Sequence, residues 1–166
     1  MKRILLTATK LTFVTALLAG CFVLLAWIPE GRMTGGGSFF QGDLRVTHGF
    51  ELHCNPARGP NNLEVNWGPG NHFHLDDLAG ASCSLGPDPA PPDAPFSIYF
   101  GHGFGTYNGA PGYQCDWMFI DAGEPGTNDV ADIEIRAPDG TVVLNADPAK
   151  LTYGNHQAHA ETGANQ

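Results

Sequence analysis

The sequence predicts an all-β fold: a small antiparallel β-sandwich, Ig-like or jelly-roll-like, behind an N-terminal hydrophobic targeting or anchor helix. Three observations predict it. Segments past residue 42 alternate apolar and polar residues with period two, as half-buried strands do. Gly (22) and Pro (13) are abundant and cluster between those segments as turns. No amphipathic helical period longer than about two turns follows the leader.

The expected domains are a signal peptide or membrane anchor over 1–29, a Gly-rich linker or first strand over 30–42, the β-sandwich over 43–154 and a polar tail over 155–166. In the leader, Lys2, Arg3 and Lys10 precede the uncharged run Leu11 to Ile28. A basic flank before an apolar run stays cytoplasmic and sends the rest out. Three fates are open. Leu18-Ala19-Gly20-Cys21 matches a lipobox, which would lipidate Cys21. The run is long enough for an uncleaved anchor. Cleavage near Ala26 would release the chain. All three place the domain outside the cytoplasm, at the cell surface, in the periplasm or secreted.

Gly35-Gly36-Gly37 marks the linker or an irregular first strand. In Arg45 to Cys54, Val46, His48, Phe50, Leu52 and Cys54 share one face. Leu63, Val65 and Trp67 give a second strand, and His72-Phe73-His74-Leu75 a short third, with Phe73 and Leu75 inward. Five prolines between Gly86 and Pro95 exclude helix and central strand, so this stretch reads as a surface loop. Phe96, Ile98 and Phe100 restart the alternation. Tyr113, Cys115, Trp117 and Phe119 follow, then Ile133 and Ile135, then Val142 and Leu144. The turns are Tyr107-Asn108-Gly109, Asp121 to Asp129 and Pro138-Asp139-Gly140.

From Met33 onward the chain has four basic and sixteen acidic residues, a net charge of −12 with His neutral. Such a surface repels phosphate backbones and argues against nucleic acid. Cationic partners and divalent cations suit it. The exported part holds three cysteines, Cys54, Cys83 and Cys115, so one pair can form a disulfide and one thiol is left over.

Three groups are candidates for chemistry. His72 and His74 share a strand face, a geometry for two ligands on one transition metal, with His53 or His102 as a third. Asp121, Glu124, Asn128, Asp129 and Asp132 crowd a Gly-containing turn and offer the hard oxygens that Ca²⁺ takes. The competing reading is a solvated loop with a type II turn at Pro125-Gly126, capped by Asn128 or Asp129. Tyr99, Phe104 and Tyr107 offer a stacking platform for a glycan, against plain turn packing. His48 falls on an apolar face, where a hydrogen-bonded core histidine is the usual outcome. Ser38, Ser82, Ser84 and Ser97 lie in no nucleophile-elbow context. Asp76 and Asp77 point to opposite faces of a strand, so neither group argues for hydrolysis.

Several strings occur in order: Thr34-Gly35-Gly36-Gly37, Arg45-Val46-Thr47-His48-Gly49-Phe50, Leu52-His53-Cys54, Pro60-Asn61-Asn62-Leu63-Glu64-Val65-Asn66-Trp67, Phe73-His74-Leu75 and Asp121-Ala122-Gly123-Glu124-Pro125-Gly126. Together they resemble a poorly characterised β-rich module found at C-terminal ends of bacterial secreted and surface proteins. The resemblance spans Gly31 to His159 and implies a small β-sandwich with no enzymatic role attached. It implies that Cys54 and Cys83 pair and that Cys115 is an addition. Such a bridge closes a loop of roughly thirty residues, worth about 3–4 kcal/mol in the chain-entropy model. The alternative is two buried thiols.

The expectation is therefore a non-enzymatic extracellular module, structural, adhesive or binding, stapled by Cys54 and Cys83 and stabilised by calcium. Its partner is an extracellular protein or glycan, with membrane contact through the N-terminal segment if that is retained or lipidated. The alternatives are a metal-binding protein or metalloenzyme using His72 and His74, and a carbohydrate-binding module.

Overall fold

Among the described residues, nine antiparallel strands form one continuous sheet: β1 (Gly31–Gln41), β2 (Leu44–His53), β3 (Asn62–Trp67), β4 (Asn71–Ser84), β5 (Ile98–Tyr107), β6 (Ala110–Ile120), β7 (Val130–Arg136), β8 (Val142–Lys150) and β9 (Tyr153–Ala160). They are seen in a computed structural model that describes residues 31–87 and 94–160. The leader, Cys21, Pro89, Pro91, Pro92 and the chain beyond Ala160 lie outside the described residues. Among the described residues, no helix is long and apolar enough to cross a membrane.

The strand order is β8-β7-β6-β5-β4-β3-β2-β1-β9. The first eight strands form a meander in which each pairs with its neighbour in sequence. The all-β, antiparallel expectation holds. The two-sheet sandwich does not: a single sheet curls into a half-barrel around its own apolar face. Period-two alternation shows that each strand buries one face, but not whether those faces belong to one curled sheet or two stacked ones. Bulges in β4 between Leu75 and Asp77, and between Leu78 and Gly80, break the ladder to β5 and favour the bend.

Local chemistry explains the tight joints. Asn108 and Gly109 both have positive φ, 49° and 81°, as a two-residue hairpin turn between β5 and β6 requires. β2 buries Val46, His48, Phe50 and Leu52, and Cys54 just beyond it, as alternation predicts. The polar tail expected from residue 155 instead supplies β9 as far as Ala160, pairing with β1 from Ser38↔Tyr153 to Gly31↔Ala160. Its inward residues are His156 and Ala158, one polar and one small, so they carry no hydrophobic signature. The strand expected to be short at His72–Leu75 is β4, fourteen residues long; its second half is built of small residues, which carry little hydropathy signal.

Strand β5 has the opposite facing from that expected. Tyr99 is buried, whereas Phe100 and Phe104 are 46% and 43% exposed. Its inward positions are Gly101, Gly103 and Gly105. A Cβ at Gly101 would overlap the Trp117 indole, and one at Gly105 would overlap the His74 carbonyl. The glycines mark close approach across the sheet, which a hydropathy pattern cannot register.

Cys54 and Cys83 form a disulfide, with Cα atoms 5.7 Å apart, that ties the chain just after β2 to the end of β4. Cys115 is a buried free thiol, and burial raises its pKa.

Candidate functional site

The acidic loop closes the sheet. Strands β8 and β9, the two ends of the sheet order, are separated in sequence only by Leu151 and Thr152. Leu151 N–H donates to the Asp129 carbonyl and Thr152 N–H to the Ser38 carbonyl, which ties this joint to both sides. Two carboxylates then stand in for a neighbouring strand along β9. Asp129 Oδ2 accepts from His156 N–H at 2.6 Å, and Asp121 Oδ2 accepts from Ala158 N–H at 2.8 Å. Their other oxygens accept from Ala122 and Gly123 N–H within the loop, each at 2.9 Å.

Both carboxylates are almost wholly buried. Burial raises Asp129 to about 6, against the opposing pull of its hydrogen bonds from His156 and Ala122. Glu124 accepts from Asn155 Nδ2, and Asn128 from Lys150 Nζ. Asp132 lies apart on β7. The five candidate calcium residues thus divide between a loop and a strand, and the turn is 3₁₀, Gly126–Asn128, rather than type II.

His72 and His74 do share the outer face of β4. Pairing of Glu64 with His74 across β3 and β4 sets the Glu64 carboxylate between them. His72 Nε2 lies 2.5 Å from Glu64 Oε2, and His74 Nδ1 bonds Glu64 Oε1. Neither proposed third ligand joins the pair: His53 contacts Asn61, and His102 contacts Asp116. Among the described residues, no group of three or more His, Cys, Asp and Glu side chains is arranged to hold a metal ion.

The expected stacking platform is not assembled. Tyr99 is in the core, its hydroxyl donating to the His53 carbonyl. Tyr107 stacks on Trp67 at 5.3 Å and donates to Asn71. Of the three, only Phe104 is strongly exposed.

A groove of about 630 Å³ crosses the outer face of β4 to β8. Its floor is the strand backbone at Gly80, Gly101 and Trp117. Phe100 and Met118 give it an apolar side. Asp116, Asp132, Glu134 and Asp147 wall the other. Asp116 is occupied on both oxygens, by His102 Nδ1 at 2.7 Å and Gln114 Nε2 at 2.8 Å, which orients the His102 ring. Glu134 pairs with Arg136. Burial, then Asp147 and Glu134, raise the pKa of Asp132.

No family model matches this chain, and neither a curated protein nor a solved structure matches it. Sequence reasoning missed the groove because its residues come from five strands, only two or three from each. The signal that was available is the outward alternation Asp116-Met118 and Asp132-Glu134 on consecutive strands.

Proposed function

We propose that this chain is an exported, non-enzymatic binding module whose recognition surface is the outer face of β4 to β8. The observation that carries the reading is the groove there, where an apolar side meets a carboxylate wall on a sheet with a filled interior. Export has separate support. The basic-apolar leader, the Cys54–Cys83 bridge and the resemblance to a secreted bacterial module agree on an oxidising, extracytoplasmic setting. Its partner is then an extracellular protein or glycan.

The test is amide chemical-shift mapping of the disulfide-intact protein against a panel of oligosaccharides and of cationic, neutral and acidic peptides. Shifts centred on Gly80, Phe100, His102 and Met118 with any one of them support the reading. A panel that moves only residues elsewhere, or none, overturns it.

A second reading, a metal-binding protein, has one observation behind it: Glu64 joins His72 and His74. A metal there must displace both hydrogen bonds. Binding below about 0.1 equivalent after separate supply of Zn, Cu, Fe and Mn removes this reading, since a His-rich site of this kind binds tightly.

A further inference from the structure

The groove is two-sided, and its two sides ask for different things. Along β5 the outward residues are Phe100, His102 and Phe104, and both phenylalanines are nearly half exposed. The His102 and Phe104 rings meet edge to face at 5.3 Å, so the row is ordered rather than splayed. Exposed aromatics in a row on a strand are a docking feature, since isolated apolar residues are the surface norm. Met118 on β6 extends the apolar side toward the acidic one.

The acidic side is under-compensated. Of its four carboxylates, Asp116 has His102 and Gln114, and Glu134 has Arg136. Asp132 and Asp147 repel one another, and no basic side chain among the described residues pairs with either carboxylate. The Asp147 carboxylate accepts from the Asn145 amide at 3.3 Å, while Gln41 Nε2 donates to its backbone carbonyl rather than to the acid. None of the described residues that line the groove is Lys or Arg. The exported part as a whole carries −12, so the remainder of the chain offers little positive charge to fill the gap.

We propose that the groove docks a cationic amphipathic segment of an extracellular partner protein, its apolar residues on Phe100 and Met118, with Phe104 just beyond the groove, and its Lys or Arg between Asp132 and Asp147. The inference rests on the reading of this outer face as the recognition surface. Charge complementarity selects the occupant. A neutral glycan would use the aromatic row and leave two facing carboxylates desolvated without a counter-charge, which is costly. A Lys or Arg side chain lays its methylene stem on the apolar side and its charge on the wall.

The probe is an eight-residue peptide alternating Lys and Leu, titrated into the disulfide-intact protein while amide shifts are recorded. Controls are the same peptide with Gln for Lys, the same with Glu for Lys, and a neutral oligosaccharide. Two variants remove equal charge: Asp132→Asn/Asp147→Asn in the groove, and Asp43→Asn/Glu51→Gln on the β1–β2 hairpin away from it.

The expected result is saturable shifts at Phe100, His102 and Met118 with the Lys peptide, weakened about tenfold between roughly 20 mM and 300 mM salt. The groove variant weakens binding at least about tenfold and the distant variant less than about twofold, as a local rather than a net-charge effect requires. Equal binding of the Gln peptide, or equal loss in the two variants, overturns the inference. If the oligosaccharide alone moves the groove amides, the cationic occupant is wrong while the recognition surface stands. If no probe moves them, both fail. Unchanged melting temperatures for the two variants separate lost affinity from lost folding.

Discussion

His48 and His156, from strands β2 and β9, meet in the core with their Nε2 atoms 2.7 Å apart. Only one of the two nitrogens can carry the proton. His156 Nδ1–H donates to the Ile120 carbonyl at 3.1 Å, so its Nε2 is the acceptor and His48 Nε2–H the donor. His48 Nδ1 is left buried with no partner among the described residues. Its ring stacks against Phe50 and Phe119. Burial, and then the neighbouring His156, hold His48 down at about 3, and burial holds His156 at about 4.

This pair makes the fold acid-sensitive. Both histidines have depressed folded pKa values, so the unfolded chain binds protons from about pH 6.5 downward that the folded chain refuses until pH 4 or below. Their contribution is complete above 6.5 and is lost as pH falls through that window. Asp129, raised to about 6, acts in the opposite sense: its contribution is full below the ordinary carboxylate value and is lost as pH rises through 6. Two histidines outweigh one carboxyl, so stability should fall by on the order of 3 kcal/mol between about pH 7 and pH 4.5. Urea unfolding midpoints across that range measure it. A midpoint that is flat or rises on acidification contradicts the assignment.

How much of this was legible in the sequence differs by strand. His48 could be placed in the core because Val46, Phe50 and Leu52 flank it at period two. Its partner could not, because Asn155-His156-Gln157-Ala158-His159 buries a polar and a small residue and reads as a tail. The Asp121–Asp129 loop was recognised as a site of convergence. Its carboxylates converge on the amides of β9, a partner about thirty residues away that no local spacing reveals. The facing of β5 was misread because glycines carry no hydropathy, although three of them at period two are themselves a sign of a crowded inner face.

Removing either seam carboxylate should loosen β9 locally. Asp129→Asn or Asp121→Asn keeps one acceptor oxygen and turns the other position into a donor facing an N–H. Each should cost about 1–3 kcal/mol, the usual penalty of a buried unpaired polar group. Hydrogen exchange at the His156 and Ala158 amides should accelerate well before that of β3 or β4. Uniform acceleration across all strands would sink the seam assignment.

Gly101→Ala should be among the most damaging small substitutions in the chain, because the added methyl falls on the Trp117 ring. Overpacking of this kind costs about 1–3 kcal/mol or more. Gly80→Ala meets nothing within 4 Å and serves as the control, with stability within about 0.5 kcal/mol of the parent. Trp117→Leu in the Gly101→Ala background should recover part of the loss. Denaturation midpoints of these four proteins and of Trp117→Leu alone decide it, and additive losses argue against the contact.

The thiol inventory gives a direct check on the bridge. Cys54→Ser/Cys83→Ser releases a loop closed over a separation of 29 residues and should cost about 3–4 kcal/mol in the chain-entropy model. In the native protein lacking its leader, Cys115 should resist a thiol reagent, because it is fully buried and its thiolate is disfavoured there. One thiol should react after unfolding without reductant, and three after unfolding with it. Rapid native labelling, or three thiols without reductant, would contradict the assignment.

Calcium at the Asp121–Asp129 loop competes with the seam for the same oxygens. All four carboxylate oxygens of Asp121 and Asp129 already accept backbone N–H donors, and those donors belong to the loop and to β9. Glu124 and Asn128 are held by Asn155 and Lys150, and Asp132 lies in the groove. A cation could draw on these oxygens only by weakening the bonds that hold β9, which would offset the stability it adds. Millimolar Ca²⁺ or EDTA should therefore shift the melting temperature by less than about 1 °C, where a ligand at a hundred times its Kd would add about 2.7 kcal/mol. A rise of several degrees with Ca²⁺, abolished in Asp129→Asn, would instead make this loop a calcium site and the amide bonds its unloaded state.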